Sequence, residues 1–136
     1  MSSIVLISCA SKKLNYLSKA REIYISPLFR MSLAFAKSLN PDKIFILSAK
    51  HGLLDLEKEI EPYNKTLNDM NKIERLEWSK NVFEQLRKVS DMEKDNFVFL
   101  AGQNYRQDLI KHIKNYKIPM EGLGIGKQLQ YLKRAL

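Results

Sequence analysis

The chain has 136 residues, of which 45% are hydrophobic and 28% are charged, a composition typical of a folded domain. Its single cysteine excludes an internal disulfide framework, and no apolar run approaches the roughly 18 residues that a membrane span needs. We therefore expect one domain over residues 1–136, without a secretory leader or a membrane partner, and a cytoplasmic location.

The net charge of +8 is distributed unevenly along the chain. Residues 1–52 contain 8 basic and 2 acidic side chains, residues 53–96 contain 8 and 11, and residues 101–136 contain 7 and 2. If the two ends meet in the fold, they form a cationic face suited to the phosphate of a nucleotide or a nucleic acid. A solvated lysine-rich surface explains the same pattern equally well.

The first third of the chain predicts a strand, a helix and a second strand. The short apolar runs Ile4–Ser8 and Lys43–Ser48 are typical of strands buried on both faces. Between them, Ser26 is a good N-cap and Pro27 a good first helical residue, so a helix should run from there to Asn40.

The rest of the chain continues the alternation of strands and helices. A helix is predicted from about Asn71 to Lys88, a third buried strand over Asn96–Ala101 and a helix over Gln103–Lys114. Tyr116–Met120 is a weak edge strand because it contains a proline, and Gly126–Leu136 closes the chain as a basic helix. The alternation predicts a single-domain, three-layer α/β fold of Rossmann-like type, with a mostly parallel sheet of about four strands flanked by helices.

Ligands of such sheets bind at the carboxyl ends of the strands, so the residues after each strand are the candidate site. Ser8, Cys9, Ser11 and Lys12 follow the first strand, and small hydroxyl residues with a lysine suit an anion-binding loop. The loop lacks the glycines of a Walker A or dinucleotide motif. Cys9 is either a nucleophile or a small packing residue.

Ser48, Lys50, His51 and Gly52 follow the second strand. The lysine can bind phosphate or act as an amine nucleophile, the imidazole can act as general acid or base, and Gly52 permits a positive φ. The alternative is a structural loop in which His51 caps the turn and Lys50 lies in solvent.

Further candidate ligand-binding residues lie elsewhere in the chain. Tyr63, which follows a proline, is either a base-stacking ring or a core residue. Gly102 opens a helix whose backbone donors can meet an anion, and Gln103 and Arg106 can contact a ligand, as can the capping Ser26. One cysteine and two distant histidines give no metal-ligand spacing, so we expect no metal and no cofactor.

Five spaced motifs, ISCASKK, YISPLFR, ILSAKHGLLD, EPYNKTL and LAGQNYR, together resemble a small uncharacterised family with SCxxK and SAKHGLL loops. That family is commonly grouped with the YaaA-type peroxide-stress proteins, so the resemblance implies a YaaA-like domain. A more distant resemblance is to the archaeosine synthase core, in which a lysine at the position of Lys12 reacts with a deazaguanine nitrile. Here Ser8 replaces the proline of that loop, and Leu14 and Asn15 replace its Pro-Tyr pair. The resemblances imply a nucleobase or nucleic-acid context.

We therefore expect a protein that binds a nucleobase, nucleoside or nucleotide, and acts on it at a glycosidic or exocyclic position. Lys12 or Lys50 would bind phosphate or attack, His51 would transfer a proton, and Tyr63 and Gln103 would hold the base. The alternatives are a YaaA-type nucleic-acid-binding protein without catalysis, in which the basic surface binds nucleic acid weakly, and a protein that sequesters a small ligand. These residue types suit an enzyme that converts the ligand and a protein that only binds it equally well.

Overall fold

The computed structural model describes residues 1–136 and has a five-stranded sheet at its centre, in the order β4-β3-β1-β6-β7. Strands β1, β3, β6 and β7 are parallel, and β4 runs antiparallel to β3. A separate two-stranded antiparallel sheet is formed by β2 and β5. The strands are β1 (Ser3–Ser8), β2 (Ser18–Lys19), β3 (Lys43–Ser48), β4 (Gly52–Asp55), β5 (Glu59–Ile60), β6 (Asn96–Leu100) and β7 (Asn115–Lys117).

The α/β class and the three predicted central strands are confirmed. β1 pairs in parallel with β3 on one side and with β6 on the other, so their carboxyl ends lie along one edge of the sheet. The weak strand predicted at Tyr116–Met120 is the edge strand Asn115–Lys117. The expected strand number of about four is wrong, because the chain returns after β3 as a short antiparallel strand.

Five α-helices cover the sheet, and none is both long and apolar enough to cross a lipid bilayer. Two start as predicted, because Ser26 accepts the N–H of Phe29 and Asn71 forms a reciprocal capping box with Glu74. The helices are α1 (Ala20–Ile23), α2 (Pro27–Ser38), α3 (Lys72–Val89), α4 (Gln103–Arg106) and α5 (Ile125–Ala135).

The predicted long helix over Gln103–Lys114 is wrong. Only α4 is α-helical, and a single 3₁₀ turn follows at Ile110–His112. Neither piece has a side-chain cap at its start, and helices this short depend on packing rather than on intrinsic propensity. The apolar residues that suggested the helix, Leu109 and Ile113, are nevertheless buried.

Two hydrophobic clusters lie on opposite faces of the sheet, and β1 contributes to both. Val5 and Ile7 pack into the cluster that includes α2 and α5, whereas Ile4 and Leu6 pack into the cluster that includes α3 and α4. This alternation follows from the two-residue repeat of a strand. It leaves the carboxyl-terminal edge of the sheet as the place where polar side chains are concentrated.

Candidate functional site

A cleft of about 830 Å³ opens at the carboxyl ends of β1 and β6. The first turns of α2 and α5 form its opposite wall, where Pro27 and Ile125 line it. The cleft therefore lies at the edge that the strand pattern predicts for a ligand.

Six of the predicted site residues lie in this cleft. Three come from the end of β1 and the loop after it, one caps α2 and two follow β6: Ser8, Cys9, Ser11, Ser26, Gly102 and Gln103. The sequence predicts one crevice for the carboxyl ends of all three central strands. This cleft joins the ends of β1 and β6, and no residue of the turn that follows β3 lines it.

The start of α5 at the cleft favours an anion, whereas at the start of α2 Pro27 has no N–H group and Ser26 already accepts a backbone N–H group. The first N–H groups of a helix have no intrahelical acceptor, and the helix dipole adds partial positive charge there. α5 begins after Gly124, which has no side chain to accept those N–H groups. Lys65 adds a formal positive charge, whereas Asp69 is the one acidic residue among the lining side chains.

Amide and hydroxyl groups supply directional hydrogen bonds. Asn104 donates to Asn68 over 2.8 Å, and Gln128 donates to the carbonyl of Leu123 over 2.8 Å, which leaves the Oε1 atom of Gln128 as an acceptor. Gln103 is exposed at the same wall. Such side chains can bind the edge of a heterocyclic base.

Cys9 lies between this cleft and a second group of polar residues. Its Sγ atom is 3.5 Å from the hydroxyl of Tyr105, which also lies 3.3 Å from Oγ1 of Thr66 and accepts the N–H of Leu67 over 3.3 Å. Burial raises the pKa of Tyr105 above its usual range, and a thiolate at Cys9 would raise it further. Tyr105 is therefore a neutral hydrogen-bonding partner of the thiol.

The second group, the tyrosine cluster, consists of Lys13, Tyr24, Ser48, His51 and Tyr63. The Tyr63 hydroxyl lies 2.8 Å from Oγ of Ser48 and 2.6 Å from the Tyr24 hydroxyl. Oγ of Ser48 accepts the N–H groups of Lys50 and His51, so its own proton is left to donate to Tyr63. Tyr63 in turn donates to Tyr24.

Burial controls the protonation of the tyrosine cluster. It raises the pKa of Tyr24 to about 12 and raises the pKa of Tyr63 above its usual range, so both hydroxyls stay protonated at neutral pH. Burial also lowers the pKa of Lys13, whose Nζ atom lies 4.3 Å from the centre of the Tyr63 ring. The cluster thus holds a partly desolvated amine beside two neutral phenols.

His51 packs edge-on against Tyr63, with ring centres 5.6 Å apart, and its Nε2 atom is buried without a hydrogen-bond partner. Burial is the main cause that lowers its pKa, and the charges of Lys50 and Lys58 lower it further. The imidazole is therefore held in its neutral form.

The remaining predicted residues do not line the cleft. Lys12 and Lys50 are exposed, and Nζ of Lys50 lies 6.0 Å from the centre of the Tyr63 ring. Gly52 is buried with φ +70 at the start of β4, where a Cβ would collide with Gln85. Arg106 donates to the carbonyl of Ala101 and lines an adjacent hollow. The expectation of one pocket containing both Lys50 and Gln103 is wrong, because the chain after β3 folds back as a hairpin.

Sequence reasoning missed several residues of the two groups. Lys13, rather than its neighbour Lys12, packs on the tyrosine cluster, and Tyr24 is one of its hydrogen-bonded members. Gln128 enters the cleft from α5. The sequence does show the adjacent pair Lys12 and Lys13, and it shows Tyr24 close to Ser26. It does not show which of the two lysines points toward the cluster.

No group of three or more His, Cys, Asp and Glu side chains lies close enough together to hold a metal ion. Comparison with curated proteins and with solved structures found no match to this chain. The model of one protein family, described as a family of unknown function, does match, over residues 4–134. Because that match covers nearly the whole chain, the protein belongs to this family of unknown function, DUF6884.

Proposed function

We propose that this protein binds a nucleoside or nucleotide in the cleft between β1, β6 and the first turns of α2 and α5. The observation that supports it best is the meeting of the uncapped start of α5 with amide side chains in one cleft of about 830 Å³. That volume lies within the range of about 300–1,000 Å³ typical of small-molecule sites.

The phosphate and the base of a nucleotide would contact different groups of the cleft. A phosphate fits the N–H groups at the start of α5 and the charge of Lys65, and a base fits the amides of Gln103, Asn104 and Gln128. Apolar side chains such as Leu28 and Ile125 offer the base a nonpolar surface.

A reaction at a glycosidic or exocyclic position remains part of the proposal. Cys9 is a nucleophilic side chain that lines the cleft, and the neutral Tyr105 hydroxyl beside it can donate a hydrogen bond to its sulfur or accept one from its S–H group.

The binding proposal is tested by isothermal titration of the purified protein with the four ribonucleoside monophosphates and the corresponding nucleosides. We expect at least one nucleotide to bind, and to bind more tightly than its nucleoside because the N–H groups at the start of α5 meet the phosphate. Gln103→Ala should weaken binding by about tenfold, the effect of one lost hydrogen bond.

The matched control is Gln107→Ala, which removes the same group one turn along, outside the cleft. Equal losses in the two variants, or no binding of any nucleotide, would contradict the proposal. Chromatographic analysis of the nucleotide after incubation with wild-type protein and with Cys9→Ala tests turnover separately.

A further inference from the structure

Two further hollows continue from the cleft along α5. The middle hollow, of about 210 Å³, shares Gln103 and Gln128 with the cleft. The outer groove, of about 480 Å³, shares Leu123 with the middle hollow and follows α5 as far as Ala135. Because each hollow shares lining residues with the next, the three are neighbours on the protein surface, and we call the middle hollow and the outer groove together the track.

The track is basic. Arg106 lines the middle hollow, and Lys127 and Arg134 line the outer groove, whereas neither is lined by an aspartate or glutamate. The two packed helices of this layer, α2 and α5, contain no acidic residue at all. Their basic residues are Arg30, Lys37, Lys127, Lys133 and Arg134. An acid-free face of this kind attracts a polyanion.

The outer groove also contains an aromatic ring in a fixed position. Tyr131 lies between Lys127 and Arg134 along α5, is 36% exposed, and packs edge-on against Phe35 with ring centres 5.9 Å apart. An exposed ring flanked by basic side chains is the arrangement with which proteins stack unpaired bases while contacting the backbone.

We propose that the nucleobase in the cleft belongs to a single-stranded polynucleotide, whose backbone follows the middle hollow into the outer groove. This inference rests on the proposed function, since it assumes that the cleft takes a base. A single strand fits because its bases are free to enter a cleft and to stack on Tyr131, whereas a duplex must first extrude a base.

The test is fluorescence anisotropy with fluorescein-labelled single-stranded decamers of mixed sequence, one of DNA and one of RNA, at several salt concentrations. The mononucleotide that titrates best serves as the small ligand. We expect at least one decamer to bind wild-type protein more than about tenfold more tightly than the mononucleotide, because several phosphates contact the track.

Lys127→Ala/Arg134→Ala should weaken decamer binding by about tenfold or more. The slope of log affinity against log salt should fall in magnitude by about 1.4, for two lost phosphate contacts with a single strand. Arg134→Ala alone, in the last turn of α5 and away from the cleft, should weaken decamer binding by about threefold and leave mononucleotide binding unchanged. The matched control for the double variant is Lys80→Ala/Lys88→Ala, which removes the same charge from exposed positions on α3, in the layer on the other face of the sheet. It should bind the decamer like wild type.

The outcomes separate the two proposals. A decamer that binds no tighter than the mononucleotide, or equal losses in the two double variants, overturns the inference and leaves the proposed function standing. Decamer binding that is insensitive to Gln103→Ala also overturns it, because the base would then lie outside the cleft. Wild-type protein that binds neither ligand overturns both.

Discussion

His51 differs from a surface histidine because its Nε2 atom is buried without a partner and two lysine charges disfavour its protonation. Its folded-state pKa lies below the unfolded value of 6.5. A group of this kind binds more protons in the unfolded chain, so it contributes stability above pH 6.5 that is lost as the pH falls through the folded pKa.

We therefore expect the free energy of unfolding to fall between pH 7.5 and pH 5.0, and to fall less in His51→Phe. Phenylalanine keeps the ring that packs on Tyr63 and has no titrating nitrogen. Urea denaturation at the two pH values measures the difference. An identical pH dependence in wild-type protein and in His51→Phe would contradict this account of His51.

Position 52 requires glycine for two reasons, its backbone conformation and the closeness of the Gln85 side chain. Its φ is +70, and a Cβ would lie 2.4 Å from the Oε1 atom of Gln85, which accepts the N–H of Leu53. Gly52→Ala should cost about 1–2 kcal/mol from the left-handed backbone, plus about 1 kcal/mol if the Gln85 bond breaks.

The control is Gly126→Ala in α5, where no atom lies within 4 Å of the added Cβ and φ is not positive. That change should raise stability by up to about 1 kcal/mol, because alanine is the better helix residue. Urea denaturation compares the variants, and equal effects would show that the start of β4 tolerates a side chain.

Among the elements, α3 is the helix with the best-defined start. Asn71 accepts the N–H of Glu74 over 2.9 Å, and Glu74 accepts the N–H of Asn71 over 3.0 Å. Asn71→Ala should lower the free energy of unfolding by about 1 kcal/mol. Asn81→Ala, at an exposed position inside the same helix, should be neutral or slightly stabilising, and a loss as large as that of Asn71→Ala would exclude capping as the cause.

Some strands and helices of this fold can be predicted from the sequence alone, and others cannot. Apolar runs and helix caps are visible in short stretches of sequence, so the sequence alone predicts β1, β3, β6, α2 and α3. β4 was not, because four residues after a three-residue turn are too short to carry a periodic pattern. Without that hairpin, the sequence prediction placed Lys50 and His51 in the cleft. The ends of β1 and β6 do meet there, but Lys50 and His51 lie in the turn that connects β3 to β4.

At the scale of the whole molecule, β1 joins the two hydrophobic clusters. Because each face of this strand packs into a different cluster, neither helical layer can separate without exposing β1. The chain should therefore unfold as one cooperative unit, as small single domains generally do. Trp78 makes this testable, since it is the only tryptophan and belongs to the cluster with α3.

Ile4→Val and Ile46→Val make the same small cavity on opposite faces of the sheet, in the clusters with α3 and α2 respectively. Each should cost about 1 kcal/mol, and the double variant should show the sum to within about 0.5 kcal/mol because the two side chains share no partner. In urea, the transitions of Trp78 fluorescence and far-ultraviolet circular dichroism should coincide for every variant. The decisive case is Ile46→Val, in which the cavity lies on the face away from Trp78. If the fluorescence midpoint stayed at its wild-type value while the dichroism midpoint fell, the two layers would unfold separately, and β1 would not couple them.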